Sequence, residues 1–428
     1  MNTNKLIFCA LISLTISGSA FCQENSKSIS DFLKNELVTE IINKLDSNYV
    51  DISTTKQLTD FLAKKRNSYS NIPKKLASQI TKDLLSISKD KHLVVTYDPK
   101  TYDQMINPKK QNETTNPWLI EEMNNYGLPE VKYLKGRIGY LNITTFFSGD
   151  EARNTAVAAL NYLSNSEAII IDVRNNGGGS SYTLKLILSY FFNADTILSA
   201  SYWRPTNATT TTKAEIYLPG KRLIDIPLFI LTSSRSFSAA EAFAQIIKDH
   251  KRGVIIGEST GGGSHSGNNI ALKDGFYMYM SKGKPALPLT DWEGVGVIPD
   301  FEIAQELALP KAHKMALDSI LSVKIAKGED TKGTSWYLNG LNHNPIQLSK
   351  KSINQFVGKY RDITISSQGT TLYFKRDRRL KFKMTPIGEN KFILIDDDYT
   401  KVEFIEKDKI NFMNVETLVE KDFDIKKN

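Results

Sequence analysis

Apolar and charged positions alternate at helical spacing from about residue 29 to residue 90, through Phe32, Leu33, Leu37, Ile41, Ile42 and Leu45, with breaks near residues 49–53 and 71–73. The pattern predicts a small helical N-terminal domain over 23–98, ending in a short strand at 93–96. Residues 99–135 hold a polar run rich in Asn, Thr and Lys, which predicts a linker or covering segment. Beyond it, β-branched runs at 137–143, 168–173, 228–232 and 253–257 alternate with amphipathic stretches at 151–164, 182–192 and 236–250. Short buried-type strands separated by helices predict βαβ units and a largely parallel sheet. A helix over 310–325 and a loose segment follow. Short strands with turns at Gln368-Gly369, Ile387-Gly388 and 396–398 then predict a small all-β domain over 345–428. No internal repeat of useful period is found.

A chain of 428 residues that is 40% hydrophobic has enough apolar material for more than one core. Its opening reads Lys5, an apolar run over 6–16, then Ser17, Gly18, Ser19 and Ala20, the layout of a secretory signal over 1–22. Export to the periplasm or the exterior is the expectation. The run is too short for a comfortable span, and no later segment nears the roughly 20 apolar residues a spanning helix needs. The cysteines are Cys9 and Cys22, so a cut after residue 22 leaves no disulfide. Cys22 as a lipid-attachment point is the minor alternative, disfavoured by Phe21 before it. The net charge of +8 comes from Lys and Arg spread along the chain, which gives nucleic acid binding little support.

Two segments carry candidate chemistry. Thr232-Ser233-Ser234-Arg235-Ser236-Phe237-Ser238-Ala239-Ala240-Glu241 follows the buried run 228–231 and opens a helix. A serine there meets unpaired N–H groups and partial positive charge, which favour a developing oxyanion; an ordinary N-cap serine is the alternative. Residues 168–179 run from Ala168-Ile169-Ile170-Ile171-Asp172 into Val173-Arg174-Asn175-Asn176-Gly177-Gly178-Gly179. Glycines there let backbone N–H groups approach a ligand atom. An ordinary strand-to-helix turn is the alternative, and a phosphate cradle is weaker because no Lys-Ser/Thr pair follows. Asp172 and Arg174 read as structural. Phe237, Ala240, Phe243, Ala244 and Ile247 read as the buried face of the helix.

Together with Gly257-Glu258-Ser259-Thr260-Gly261-Gly262 and Glu293-Gly294-Val295-Gly296-Val297-Ile298-Pro299-Asp300, these segments resemble the S41 peptidases over about residues 136–303. The resemblance implies a crotonase/ClpP-like α/β core over 136–330 and a serine peptidase that hydrolyses peptides or unfolded chains without a metal or organic cofactor. It places the nucleophile at Ser238, with oxyanion donors in the N–H of Ala239 and that of Gly177 or Gly178. The processing-peptidase branch takes its base from a lysine in Gly-Lys-Gly after the Gly-Glu-x-Thr turn. This chain reads Gly261-Gly262-Gly263-Ser264-His265 instead, so the Ser-Lys dyad is absent.

A serine hydroxyl needs another base, and a group with pKa near 7 suits the task. Asp90-Lys91-His92 resembles the Asp-x-His segment of tricorn-type relatives, where a histidine reaches the serine and a glutamate assists. His92 and Glu293 match those two positions. The alternatives are a surface histidine and a solvated loop carboxylate. His265 is the rival base and a possible substrate contact. His250 reads as a helix end, and His313 and His343 fall outside the matched motifs. No PDZ-like module stands before the core. Retinoid-binding relatives share the framework, so a non-catalytic binder of an apolar ligand is the alternative function; an enoyl-hydratase-like enzyme has no coenzyme A pocket to support it.

Overall fold

The computed structural model describes residues 28–107, 121–407 and 410–428. The expected signal, with Cys9 and Cys22, lies outside these residues, as does the 108–120 part of the expected covering segment.

Helices α1 (Asp31–Asn48), α2 (Ile52–Lys65) and α3 (Pro73–Ser88) start where the chain supplies caps. Ser30 accepts the Leu33 N–H, Asp51 accepts those of Ser53 and Thr54, and Pro73 opens α3 with its preset φ. Their inner faces do not close a core alone. Leu37, Ile41, Leu45, Leu58, Leu76, Ile80 and Leu84 share one with Leu272, Phe276, Met278 and Met280, some two hundred residues later in the chain. Helix α3 ends on Lys89 at φ 60°, and the turn Asp90-Lys91-His92 leads into β1 (Val95–Tyr97).

Part of the expected linker is helical: α4 (Pro99–Ile106) begins behind Asp98, whose side chain accepts the N–H groups of Lys100 and Thr101. An N-cap with proline in the first turn outweighs the polar composition. The central unit then runs β2 (Glu130–Leu134), β3 (Ile138–Asn142), α5 (Asp150–Tyr162), β4 (Ala168–Asp172), α6 (Ser181–Ser189), β5 (Ile197–Trp203), β6 (Ala208–Lys213), β7 (Leu228–Thr232), α7 (Ala239–Asp249), β8 (Val254–Gly257), β9 (Ser266–Ala271), β10 (Phe276–Ala286), β11 (Phe301–Glu302) and α8 (Gln305–Lys327).

Six of these strands form a sheet in the order β11-β8-β7-β4-β3-β2, parallel except for the edge pair β2/β3. Residues from α5, α6 and α7 bury one face and α8 covers the other through Ala308, Ala312, Ala316, Leu317 and Ile320, so β4 and β7 are buried at every position and apolar up to their last residues, Asp172 and Thr232. The chain is an α/β protein with the expected helical start. The expected parallel sheet is only half of the β-structure in this region, because β1, β10, β5 and β6 make a second, antiparallel sheet with β9 paired on β10. Strand β6 is exposed at every residue and β9 reads Ser-Gly-Asn-Asn-Ile-Ala, so neither shows the apolar alternation that marks a strand.

Helix α9 (Lys332–Leu341) occupies the segment expected to be loose. After it, eight antiparallel strands from Gly358–Tyr360 to Lys421–Lys426 surround their own core of Phe374, Phe392, Phe404 and neighbours. Trp336 on α9 donates its indole N–H to Asp398 O at 2.7 Å and ties this β unit to the rest.

Candidate active site

The turn between β7 and α7 separates its serines by role. Ser233 and Ser236 are fully buried and donate their hydroxyls to the carbonyls of Arg174 and Val173. Ser238 is half-buried and lines an open cleft of about 440 Å³. Its backbone sits at φ 55°, ψ −116°, a conformation that side chains rarely adopt. Phe237, expected in the core, is only half-buried and packs against His92 at a tilt of 35°, with ring centroids 4.6 Å apart.

The glycine bend after β4 is fastened to this turn. Buried Asn176 accepts the Phe237 N–H on its carbonyl at 3.0 Å, donates Nδ2 to Ile143 O at 3.1 Å, and accepts the Gly178 N–H on Oδ1 at 2.8 Å. Gly178 lies at φ +110°, and a β-carbon there would stand 2.8 Å from Ser238 Cβ and 3.1 Å from Ala239 N, so only glycine fits. The expected oxyanion donors therefore differ in state. Among the described residues the N–H groups of Gly177 and Ala239 have no acceptor, whereas that of Gly178 is held by Asn176. Asp172 and Arg174 pair with each other, Arg174 Nε lying 2.9 Å from Asp172 Oδ1, and Tyr140 donates to the same carboxylate at 2.7 Å.

Glu241, which sequence reasoning used only as a motif letter, joins the turn to the third glycine segment. It is fully buried; Oε2 accepts the Ser238 N–H at 2.8 Å and the Gly263 N–H at 2.8 Å, and Oε1 accepts the Thr260 hydroxyl and the Gly262 N–H. The spacing Ser238-x-x-Glu241 is that of a capping box, which was the available signal.

Behind this loop the structure brings His92 and Glu293 together with Asp90, with one ligand-type atom of each within 4.8 Å of the others. Asp90 is fully buried and its Oδ1 accepts the His92 N–H at 2.8 Å. The His92 ring lies between Phe237 and Tyr279, with Nδ1 buried and unpartnered among the described residues. Glu293 Oε2 accepts the N–H groups of Ser264 at 2.7 Å and His265 at 2.9 Å. The spacing of the three is also that of a metal-ligand set, but the arrangement needs no ion for charge balance, because His265 faces both carboxylates. Its Nδ1 is 3.5 Å from Asp90 Oδ2 and 3.9 Å from Glu293 Oε2, and its Nε2 is 3.7 Å from Asp291 Oδ2.

These neighbours set the charges. Burial pulls His265 down, but Asp291, Asp90 and the Glu293 charge override it and push it up to about 10. Burial pushes Glu293 up to about 7 against the pull of His265. Burial also holds His92 below the usual histidine value, with Asp90 opposing and His265 adding to the effect. Asp90 stays below the usual carboxylate range despite burial, because His265, Ser281 and the His92 N–H outweigh it.

Of the residues expected in the site, Ser238, Ala239 and His265 line the cleft directly. His92 lies one layer behind, against Gly263, and no hydrogen bond joins it to Ser238 among the described residues. The cleft walls mix Leu184, Leu188, Leu198, Ile246 and Trp292 with Ser181, Ser199, Ser201, Thr210, Thr212 and Lys185. His250 and His313 bond the carbonyls of Leu198 and Lys135, and neither lines the cleft.

The model of peptidase family S41 matches residues 137–303. A carboxyl-terminal-processing protease of Picosynechococcus sp. is 27% identical over 177 residues, covering 40% of this chain and 40% of that protein. The chloroplastic C-terminal processing peptidase of Tetradesmus obliquus is 28% identical over 206 residues, 46% of this chain and 42% of that protein. The chain thus spans about two fifths of the length of the curated relatives it matches. Among solved structures, mature CPAF aligns at TM-score 0.47 and 13% identity over 70% of this chain and 99% of that one. The photosystem II D1 C-terminal processing protease aligns at TM-score 0.43 and 16% identity, over 64% of this chain and 94% of that one. The matched segment holds the Ser238 turn, the glycine bend and both later glycine motifs, so it is over residues 137–303 that the chain is similar to peptidase family S41.

Proposed function

We propose that the protein is an exported serine peptidase in which Ser238 attacks a peptide carbonyl, the N–H groups of Ala239 and Gly177 receive the oxyanion, His92 takes and returns the proton, and Glu293 orients His92. The single observation that carries the reading is the Ser238 turn. Of the four serines in the turn, Ser233 and Ser236 are sealed into backbone bonds and Ser234 is exposed, while Ser238 stands at a helix start, on a strained backbone, facing a glycine bend and an open cleft. Attack of Ser238 Oγ forms an ester and expels the amine, which leaves with the proton carried by His92. Water, deprotonated by the same ring, then cleaves the ester and regenerates the hydroxyl.

His92 is favoured over a lysine base by space. A side chain at 263 would meet the Phe237 ring at 2.4 Å and His92 Cε1 at 2.7 Å, so the imidazole fills the room a side chain in this loop would need. It is favoured over His265 by charge, since a ring set among three carboxylates and pushed up to about 10 already holds its proton at neutral pH. Gly177 is favoured over Gly178 as the second donor because its N–H is free among the described residues.

A peptide or unfolded polypeptide is the substrate class, and the polar stretches of the cleft wall weigh against an apolar-ligand binder. No helix among the described residues is long and apolar enough to cross a membrane. Export rests on the N-terminal sequence alone. The test is covalent labelling: a fluorophosphonate should modify Ser238 in the folded chain, and Ser238→Ala should abolish both labelling and peptide hydrolysis. Labelling elsewhere, or hydrolysis by the alanine variant near the wild-type rate, overturns the proposal.

A further inference from the structure

We propose that His265 is a positioning residue of this site, a buried cation that clamps Asp90, Asp291 and Glu293 and through them seats His92 against the Gly263 loop. The inference rests on the reading of Ser238 and His92 given above.

The geometry starts from a charge that needs a partner. Asp90 is fully buried, and a buried carboxylate without a cation is costly. The lysines beside it point elsewhere: Lys89 Nζ donates to Ser86 O and Lys91 Nζ to Gly261 O. The cation that does face Asp90 is His265, at 3.5 Å from Oδ2, while Oδ1 of the same carboxylate holds the His92 backbone. His265 thus reaches His92 through one carboxylate.

Glu293 is held by the same residue twice. The His265 N–H donates to Oε2 at 2.9 Å and the ring faces that oxygen at 3.9 Å. Asp291 closes the third side, with Oδ2 3.7 Å from His265 Nε2 and Oδ1 accepting the Glu293 N–H at 3.1 Å. Both ring nitrogens therefore face carboxylate oxygens, which a neutral imidazole, with one bare lone pair, does not tolerate. The high proton affinity of the ring agrees with this arrangement.

The clamp has an electrostatic consequence at His92. The ionisable groups around His92 are Asp90, Glu293 and His265, with the rings of Phe237 and Tyr279 on its faces and the Tyr49 phenol near Asp90 and Glu293. The charge on His265 opposes a second positive charge on His92 and so keeps His92 in its neutral, proton-accepting form. Removing that charge raises the His92 proton affinity, whereas a role in packing alone leaves it where it is.

The experiment follows fluorophosphonate labelling of Ser238 in the full chain between pH 5 and 9. His265→Gln should label at least about tenfold more slowly at pH 7, and the acid limb of its rate profile should move to higher pH. His265→Lys should return the limb to its wild-type position and restore most of the rate. In wild-type protein, ¹⁵N-histidine spectra should show His265 as an imidazolium up to pH 8, a measurement that does not depend on any variant folding. Wild-type labelling by His265→Gln with an unmoved limb, no rescue by lysine, or a neutral His265 ring at pH 7 each overturns the inference. Failure of the wild-type protein to label at Ser238 overturns instead the peptidase reading, and the histidine spectra still decide the charge of the clamp.

Discussion

Gly263 turns its α-carbon toward His92, so that a β-carbon at 263 would stand 2.7 Å from His92 Cε1 and 2.4 Å from the Phe237 ring. Contacts that short are not accommodated without movement, and the rings that must move are the proposed base and the aromatic packed against it. Gly263→Ala should therefore lower the Ser238 labelling rate by about 100-fold, the cost of a displacement on the order of 1 Å at a reacting group. Gly333→Ala is the control, since nothing lies within 4 Å of its β-carbon position and it sits in α9. It should label normally and gain up to about 1 kcal/mol from helix propensity.

Glu241 accepts from three backbone N–H groups and one hydroxyl, and the bonds from Thr260, Gly262 and Gly263 are buried. Glu241→Ala leaves all four donors unpaired, and at about 1–3 kcal/mol for each of the three buried ones the loss should be at least about 3 kcal/mol. Urea unfolding measures it. Glu241→Gln keeps one acceptor oxygen and turns an NH₂ toward donors, so it should fall between the two and still label poorly, because the Ser238 amide is no longer fixed. A glutamine variant as stable and as reactive as wild type would show that the carboxylate is dispensable to the turn.

The legible parts of this chain were those whose physics is local. Strand β7 was expected at 228–232 and is found at Leu228–Thr232, because a strand covered on both faces reads as a near-continuous apolar run, here Leu228 to Leu231. Ser238 and the glycine bend stood out because a strand-to-helix junction and a run of glycines are contiguous features. The second sheet was missed because the exposed threonines of β6 and the polar residues of β9 take their order from hydrogen bonds rather than burial. The Asp90, His265 and Asp291 cluster was hidden for a related reason: its members come from three distant stretches, and their meeting depends on how β10 packs against β1. No periodicity records such an encounter.

The acid limb of the labelling profile should lie below pH 6.5. Burial lowers the His92 pKa from its ordinary value, so the ring stays neutral, and able to accept the serine proton, until the pH falls through that depressed value. The stability linkage has the same direction. A histidine that binds its proton more weakly in the folded chain contributes stability above its unfolded pKa, and this is lost as pH falls from 6.5. Glu293 runs the other way: raised from 4.5 to about 7, it contributes stability at low pH that is lost as pH rises through that window. A limb at or above pH 6.5 in wild-type protein would mean that some other group takes the proton.

Ser238 holds a backbone conformation that costs its side chain, and the cost can be measured by deleting it in two ways. At φ 55°, ψ −116°, a residue with a β-carbon carries strain on the order of 1–3 kcal/mol. Ser238→Ala removes the hydroxyl and keeps the strain. Ser238→Gly removes both, at an added cost of about 0.5–1 kcal/mol for the freedom glycine gains in the unfolded chain. Since relief exceeds that cost, Ser238→Gly should be about 1 kcal/mol more stable than Ser238→Ala, read as a higher urea midpoint at unchanged slope. Both variants should be inert to fluorophosphonate. A glycine variant no more stable than the alanine variant would mean that the turn is relaxed, and that the exposure of the hydroxyl is not maintained against a conformational cost.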